Sequence, residues 1–307
     1  MIVVLLLSLL AVVIASGITA SQHVDFMNFG TDNPYRNFNH WLNGHFFRLF
    51  KLEGAAQYLH DSLGEESGYY AQCYLRDLIG GTFVYWVTAG VWHVVIYYIF
   101  ADKFFHSKGR PLPTTETLVD QMSLAQASLF VYAGLPILSE YLIESGVTHT
   151  YFYVSDIGGW GWYTAYLVLY ITLVEIGVYW MHRTLHTNKF LYKYVHGLHH
   201  KYNKLTTLTP WASIAFNPLD GILQASPYVV CLFFVPVHYF THIFLLFFSG
   251  VWATNIHDAM WGDSEPIMGS KYHTLHHTHY LYNYGQFFIF CDWFFGTLRV
   301  PEKSKLD

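Results

Sequence analysis

From Gly221 to His257 this chain runs 37 residues without an Asp, Glu, Lys or Arg. Three shorter uncharged runs precede it: Leu78–Ala101 with 24 residues, Gln121–Ser139 with 19, and Ile157–Val174 with 18. The last stays apolar past Glu175 to Met181. A helix needs about 20 apolar residues to cross a hydrocarbon core about 30 Å thick, so the three shorter runs predict single spans. The longest would make about 55 Å of helix at 1.5 Å per residue, which suits a hairpin with legs of about 28 Å. Its turn is expected near Pro236, where a helix can end. Four such runs are hard to bury without lipid, and lipid allows only helices or closed barrels to cross it.

Composition agrees. Hydrophobic residues make up 53% of the chain and charged residues 12%, about half the roughly 25% charge of an ordinary soluble domain. That excludes a disordered chain or a coiled coil, and leaves too little charge to cover a soluble enzyme. A net charge of −5 argues against a nucleic-acid partner, because nothing neutralises a phosphate backbone. Cys73, Cys231 and Cys291 are odd in number and far apart. They suggest neither a disulfide framework nor a zinc ribbon.

Residues 1–20 are apolar from Ile2 to Ala15 and lack a basic stretch ahead of the apolar one. They read as a signal sequence or a short anchor. Residues 21–77 are mixed and polar, a lumenal or interfacial segment of loops and short helices. Residues 78–301 carry the spans, and 302–307 form a tail. Basic residues follow the first span (Lys103, Lys108, Arg110), the third (Arg183, Lys189, Lys193, Lys201, Lys204) and the hairpin (Lys271, Arg299, Lys303, Lys305), whereas Glu140–Asp156 has none. The positive-inside rule places those three regions together in the cytosol. Lys303 and Lys305, close to the end, have the pattern of a dilysine retrieval signal, which points to the endoplasmic reticulum membrane.

Histidine is the chemical signal. The chain has 19, and they cluster as His182-x-x-x-His186, His196-x-x-His199-His200 and His273-x-x-His276-His277, with His257 upstream of the last cluster and His279 just after it. At this abundance chance predicts about 0.07 His-x-x-His-His motifs in the chain, and there are two. Residues three and four apart share a helix face, so each cluster is expected to point one way. The hairpin crosses twice and would return the third cluster to the side of the first two. His93, His149 and His242 stand alone and read as satisfied core residues. Neutral imidazole suits Zn, Cu, Fe and Ni. Eight or nine ligands exceed the needs of one ion and suit two ions sharing a site. Ligand type alone leaves the metal open. Metal-bound imidazoles need partners that orient them, and Glu175, seven residues before His182, together with Asp258 and Asp292, are the carboxylates placed to do so.

These boxes resemble the fatty acid hydroxylase and sterol desaturase superfamily of membrane-bound non-haem di-iron oxygenases. Four further stretches are similar to the sterol C-5 desaturases, the plant-type ones most: Tyr179-Trp180-Met181-His182-Arg183, Asn217-Pro218-Leu219-Asp220-Gly221-Ile222-Leu223-Gln224, Thr254-Asn255-Ile256-His257-Asp258, and Tyr282-Asn283-Tyr284-Gly285-Gln286 on to Asp292 and Arg299. The resemblance covers roughly residues 75–301. It implies an all-α polytopic membrane protein with about four spans and a cytosolic helical cap carrying the di-metal site. It also implies two iron ions held by His182, His186, His196, His199, His200, His257, His273, His276 and His277. The reaction implied is O2-dependent removal of hydrogen from C5 and C6 of a Δ7-sterol, with electrons from NADH through cytochrome b5 reductase and cytochrome b5. Glu175, Asn217, Asp220, Asp258, His279 and Asp292 are expected around the metals. Family members usually carry His where this chain has Asn217, and plant members a further His where it has Trp261. A hydroxylase or a C-4 methylsterol oxidase on the same scaffold is the alternative. A metal transporter would place ligands within its spans, a metalloprotease would want His-Glu-x-x-His, and a haem protein would use isolated His pairs.

Overall fold

The computed structural model describes residues 32–204, 206–258 and 265–301. Residues 1–20, Trp261 and the tail 302–307 lie outside the described residues. The chain is helical almost throughout. Helix α1 (Pro34–Leu49) opens where the Asn33 side chain accepts the backbone N–H groups of Tyr35 and Arg36, with Pro34 in the first turn. Then come α2 (Glu53–Leu63), α3 (Glu65–Val94) with a wide π-helical continuation (Val95–Ile99), α4 (Ala101–Phe104), α5 (Thr115–Tyr132) and α6 (Gly134–Glu144). After β1 (Thr150–Tyr151) the chain forms α7 (Trp160–Thr187) and α8 (Lys189–Leu191), which widens into a π-helical turn (Tyr192–His196). It ends with α9 (Pro218–Val230), β2 (Val237–His238), α10 (Tyr239–Ile256), α11 (Ser270–His279) and α12 (Phe290–Phe294). The two strands pair in parallel over two residues, Thr150 with Val237 and Tyr151 with His238.

Four helical stretches are long and apolar enough to cross a membrane: Glu65–Ile99, Thr115–Glu144, Trp160–Thr187 and Tyr239–Ile256. The four uncharged runs contribute one each. The last does so differently from expectation. It turns near Pro236 as the sequence suggests, but α9, with 13 residues, rises only about 20 Å, so one leg of the hairpin is long enough to span and the other is not. The first span also begins earlier than its uncharged run. Helix α3 starts at Glu65, ahead of Leu78.

The chain divides into two compact units. One gathers the described residues up to Gly80 with Ala133–Ile171 and Tyr228–Phe247; the other gathers Gly81–Tyr132, Thr172–Pro227 and the described residues from Phe248 onward. In the first unit the charges that interrupt the uncharged runs meet each other. Arg76 is 4% exposed and Glu140 2%. Arg76 donates from Nη2 to Glu140 Oε1 at 2.5 Å, from Nε to Asp77 Oδ1 at 2.8 Å, and from Nη1 to the side-chain oxygens of Asn39 and Asn43 at 3.2 and 2.9 Å. Glu144, one turn on, accepts the hydroxyls of Tyr69 and Tyr70 at 2.6 and 3.1 Å. A buried guanidinium is tolerable only when paired and hydrogen-bonded. This pairing lets α3 carry Arg76 and Asp77 inside a helix that otherwise reads as apolar. Among the lone histidines, His242 is fully buried against the Tyr170 hydroxyl at 2.9 Å. His149 is exposed and His93 only half-buried, so neither belongs to the core. In the second unit α9 packs against α7 through Gly177, where an added Cβ would stand 2.7 Å from Pro227 Cβ.

Removing one partner of a buried ion pair strands the other charge and costs about 3–5 kcal/mol. Arg76→Met is therefore expected to lower the thermal unfolding midpoint of the detergent-solubilised chain by several degrees. An unchanged midpoint would show that the network contributes nothing.

Candidate metal centre

The histidines sit at the ends of helices in the second unit. His182 and His186 occupy the last two turns of α7 on one face. Asn188 then caps α8, accepting the N–H groups of Phe190 and Leu191. The π-helical turn ends on His196, and a short 3-10 turn carries His199 and His200. His257 follows the end of α10, and His273, His276 and His277 lie on α11.

All nine come together, in two groups. His182, His186, His196, His200 and His276 form one, and His199, His257, His273 and His277 form the other. Within each group the facing ring nitrogens lie within 4.8 Å of one another. The clusters do not each point one way, as simple helical spacing suggests. Each His-x-x-His-His motif divides between the groups. His196 and His200 serve the group of five while His199 serves the other. His273 and His277 serve the group of four while His276 crosses to the first. The i, i+4 pairs stay together, and the middle histidine departs.

In the group of five, Nε2 of His196 lies 2.8 Å from that of His186 and 3.1 Å from that of His200, and Nε2 of His276 lies 3.2 Å from that of His200. In the group of four, Nε2 of His257 lies 3.3 Å from that of His199 and 3.1 Å from that of His273, with His277 at 3.1 Å from His273. Around one ion with metal–nitrogen bonds of about 2.0–2.1 Å, adjacent imidazole nitrogens stand about 3.0–3.4 Å apart. The spacing therefore fits an ion in each group.

The outer nitrogens explain the orientation. Nδ1–H of His182 donates to the Tyr284 carbonyl at 3.0 Å, that of His276 to the Tyr282 carbonyl at 2.8 Å, that of His257 to the Ala253 carbonyl at 2.6 Å, and that of His196 to Asp220 Oδ2 at 2.7 Å. Each donation leaves Nε2 as a bare lone pair facing inward. His182 Nε2 is buried without a protein partner among the described residues, and so is Nδ1 of His199, His200, His273 and His277. Burial, then the neighbouring rings, hold His199, His200, His273 and His277 well below the usual imidazole pKa. Burial takes His257 down to about 4 and His276 to about 3. Neutral inward-facing imidazole is the donor that Zn, Cu, Fe and Ni accept.

The surrounding polar residues act at different removes. Asp220 orients His196 directly and is held by Gln224 Nε2 at 2.8 Å. Glu175 does not touch an imidazole. Its carboxylate accepts the N–H groups of Gln286, Phe287 and Phe288 at 2.9–3.1 Å. Asp292 accepts those of Tyr284 and Gly285, each at 2.8 Å, and the Thr297 hydroxyl at 2.7 Å. The two carboxylates thus pin the loop 284–288, and Tyr284 in that loop presents its carbonyl to His182. Gly285 makes this possible, because an added Cβ would lie 2.3 Å from the Phe288 carbonyl oxygen and 3.2–3.3 Å from both carboxylates. Asn217 stands outside both groups. Its Oδ1 accepts the Leu219 N–H at 2.9 Å, capping α9, and its Nδ2 donates to the Tyr194 carbonyl at 3.2 Å. His279 is also outside, turned back to the Leu275 carbonyl and the Thr278 hydroxyl. Asp258 is buried beside His257. The three carbonyl acceptors carry no residue-type signal. The Tyr284 ring, part of a stretch that carries the resemblance, stands 5.3–5.6 Å from those of His182, His186 and His276.

Losing a partner that orients a ligand costs about 10–100-fold in metal affinity. Asp220→Ala is expected to fall by that factor, read by elemental analysis after equilibration in a metal buffer; unchanged affinity would remove Asp220 from the site. The His257 pKa, lowered from 6.5 to about 4, favours the neutral ring in the fold. The stability it contributes is full above 6.5 and is lost as pH falls towards 4. The metal-free protein should lose thermal stability across that window, and a flat profile would contradict the burial of this ring.

Comparison with known proteins places the chain. The model of the fatty acid hydroxylase family matches residues 167–297. A Delta(7)-sterol-C5(6)-desaturase of Nicotiana tabacum is 46% identical over 233 residues, 76% of this chain and 85% of that protein. A putative Delta(7)-sterol-C5(6)-desaturase 2 of Arabidopsis thaliana is 43% identical over 80% of this chain and 86% of its own length. A Delta(7)-sterol 5(6)-desaturase of Gibberella zeae is 31% identical over 72% and 67%. No solved structure matches. The identity to the plant proteins extends well beyond the histidine motifs, and the chain belongs to the fatty acid hydroxylase family, alongside relatives named as Delta(7)-sterol-C5(6)-desaturases.

Proposed function

We propose that this protein is an oxidoreductase of the membrane that introduces the C5=C6 double bond into a Δ7-sterol. The observation that carries the reading is the pairing of two groups of clustered imidazoles, eight of the nine buried, with relatives of that name over most of the chain. Removing two hydrogens from the sterol while O2 becomes two waters needs two further electrons. NADH supplies them, through cytochrome b5 and its reductase in this reading. When bound, a pair of iron ions supplies the redox chemistry with O2 that an unactivated C–H bond requires, and that zinc lacks.

The chain's own residues define the rest. His182, His186, His196, His200 and His276 hold one ion, and His199, His257, His273 and His277 the other. Asp220 and the carbonyls of Ala253, Tyr282 and Tyr284 keep four Nδ1 protons outward, so the lone pairs stay inward through the cycle. Eight of the nine imidazoles are buried, which keeps bulk water from the reacting bond. Asn217 is used as a helix cap, so the absence of His at that position is compatible with activity. The membrane domain of residues 78–301, the cytosolic placement of the histidines and tail, and residence in the endoplasmic reticulum belong to the same proposal.

Expression in yeast lacking its own C-5 desaturase tests it, with sterols read by gas chromatography and mass spectrometry. Δ5,7-sterols are expected to return, and His182→Ala, His199→Ala or His276→Ala to lower them at least about 100-fold, the scale on which a lost metal ion abolishes turnover. A hydroxylated or C-4 demethylated product would move the reaction to the alternative on the same scaffold. Full activity in any one histidine variant would overturn the di-metal assignment.

A further inference from the structure

The segment that brings the second histidine cluster to the centre has an outer face that the metal site does not use. It begins directly after Thr187, the last residue of a stretch long and apolar enough to span. Phe190 is 65% exposed, Tyr194 57% and Leu198 38%. They recur at every fourth position, one outward stripe, and the rings of Phe190 and Tyr194 pack tilted at 49° with centroids 4.9 Å apart. Lys189 and Lys193, both exposed, run beside them at the same spacing, and Lys193 Nζ sits 4.9 Å over the Tyr194 ring. The opposite face is buried: Val195, His196, His199 and His200 are 5% exposed or less. From Arg183 to Lys204 the chain has five basic residues and no acidic one, although its net charge is −5. Lys201 of this set is already paired, with Asp120 at 2.8 Å, whereas the two lysines beside the aromatic stripe face outward.

An apolar stripe edged by lysines, continuing from the end of a span, is the pattern of a segment lying in a membrane interface. The aromatic and leucine side chains would enter the headgroup boundary. Lysine stems run along apolar surface and keep the ammonium at phosphate level. We propose that residues 188–198 dock on the bilayer surface, with Phe190, Tyr194 and Leu198 immersed and Lys189 and Lys193 bound to the phosphates of anionic lipids. The occupant is a lipid surface because the face continues directly from a membrane-crossing helix and joins positive charge to exposed apolar area. Docking there ties the element that carries His196, His199 and His200 to the membrane plane. This assignment stands independently of the reaction at the centre.

The test uses the full chain in lipid nanodiscs. Cys73, Cys231 and Cys291 are buried, so Phe190→Cys gives a single accessible thiol for an environment-sensitive nitrobenzoxadiazole label; Tyr194→Cys is the second reporter should the first fail to fold. Metal content equal to that of the unsubstituted chain certifies each variant. Emission should be blue-shifted and quenched by lipids carrying a shallow doxyl group. Quenching should be stronger with phosphatidylserine present than in pure phosphatidylcholine, and Lys189→Glu with Lys193→Glu should abolish that difference. Anionic lipid contributes about fivefold per lysine near the surface, so the two lysines together are expected to shift the phosphatidylserine concentration at half-effect by about 25-fold. Emission like that of a label in water, with no quenching in either lipid, would overturn the proposal. Quenching that ignores both phosphatidylserine and charge reversal would overturn the phosphate contact. Unchanged quenching together with lost binding of an acidic soluble electron carrier would give the face to a protein instead.

Discussion

Four imidazoles of the candidate centre each donate an outer N–H to a fixed acceptor, and the acceptors of His182 and His196 are themselves held by further hydrogen bonds. A neutral histidine has one proton for two nitrogens. Fixing that proton on Nδ1 fixes a lone pair on Nε2, and inward lone pairs about 3 Å apart repel unless a cation lies between them. Three acceptors are backbone carbonyls and one is the Asp220 carboxylate. The orientation of these four rings is thus set partly by main-chain geometry.

That geometry has its own support. The carbonyl that orients His182 belongs to a loop without regular structure, and such a loop is ordinarily mobile. Here two buried carboxylates hold it, Glu175 from α7 and Asp292 from α12, each accepting several backbone N–H groups. Because Glu175 and His182 lie two turns apart on one helix, α7 fixes both the ligand and the loop that aims it. A buried carboxylate is expensive unless fully hydrogen-bonded, and donation from consecutive backbone groups meets that condition.

The sequence made the centre legible through residue type and spacing, and it concealed the centre's organisation. Two His-x-x-His-His motifs in one chain point to metal without any structure. Their division between two groups was not readable: one motif sits on a wide π-helical turn and a tight 3-10 turn, and the other on a regular helix, where the adjacent His276 and His277 point about 100° apart and packing decides which group each joins. Glu175 is expected from the sequence to orient an imidazole, but its partners are backbone amides, which every residue has. The spans were legible from the uncharged runs. Their ends were not, because Arg76, Asp77 and Glu140 look like boundaries until their mutual pairing is seen, and α9 looked like half of a spanning hairpin until its 13 residues fell short.

The crossed use of the two His-x-x-His-His motifs ties the two histidine groups together. Each motif lends two histidines to one group and one to the other, so a single-residue insertion or deletion in either motif would misdirect ligands in both groups at once. A change of spacing within either motif therefore cannot dismantle one group and spare the other, whereas the interval between His182 and His186 belongs to one group alone. Substituting the histidines of one group, by contrast, removes that group alone and leaves both motif intervals as they were.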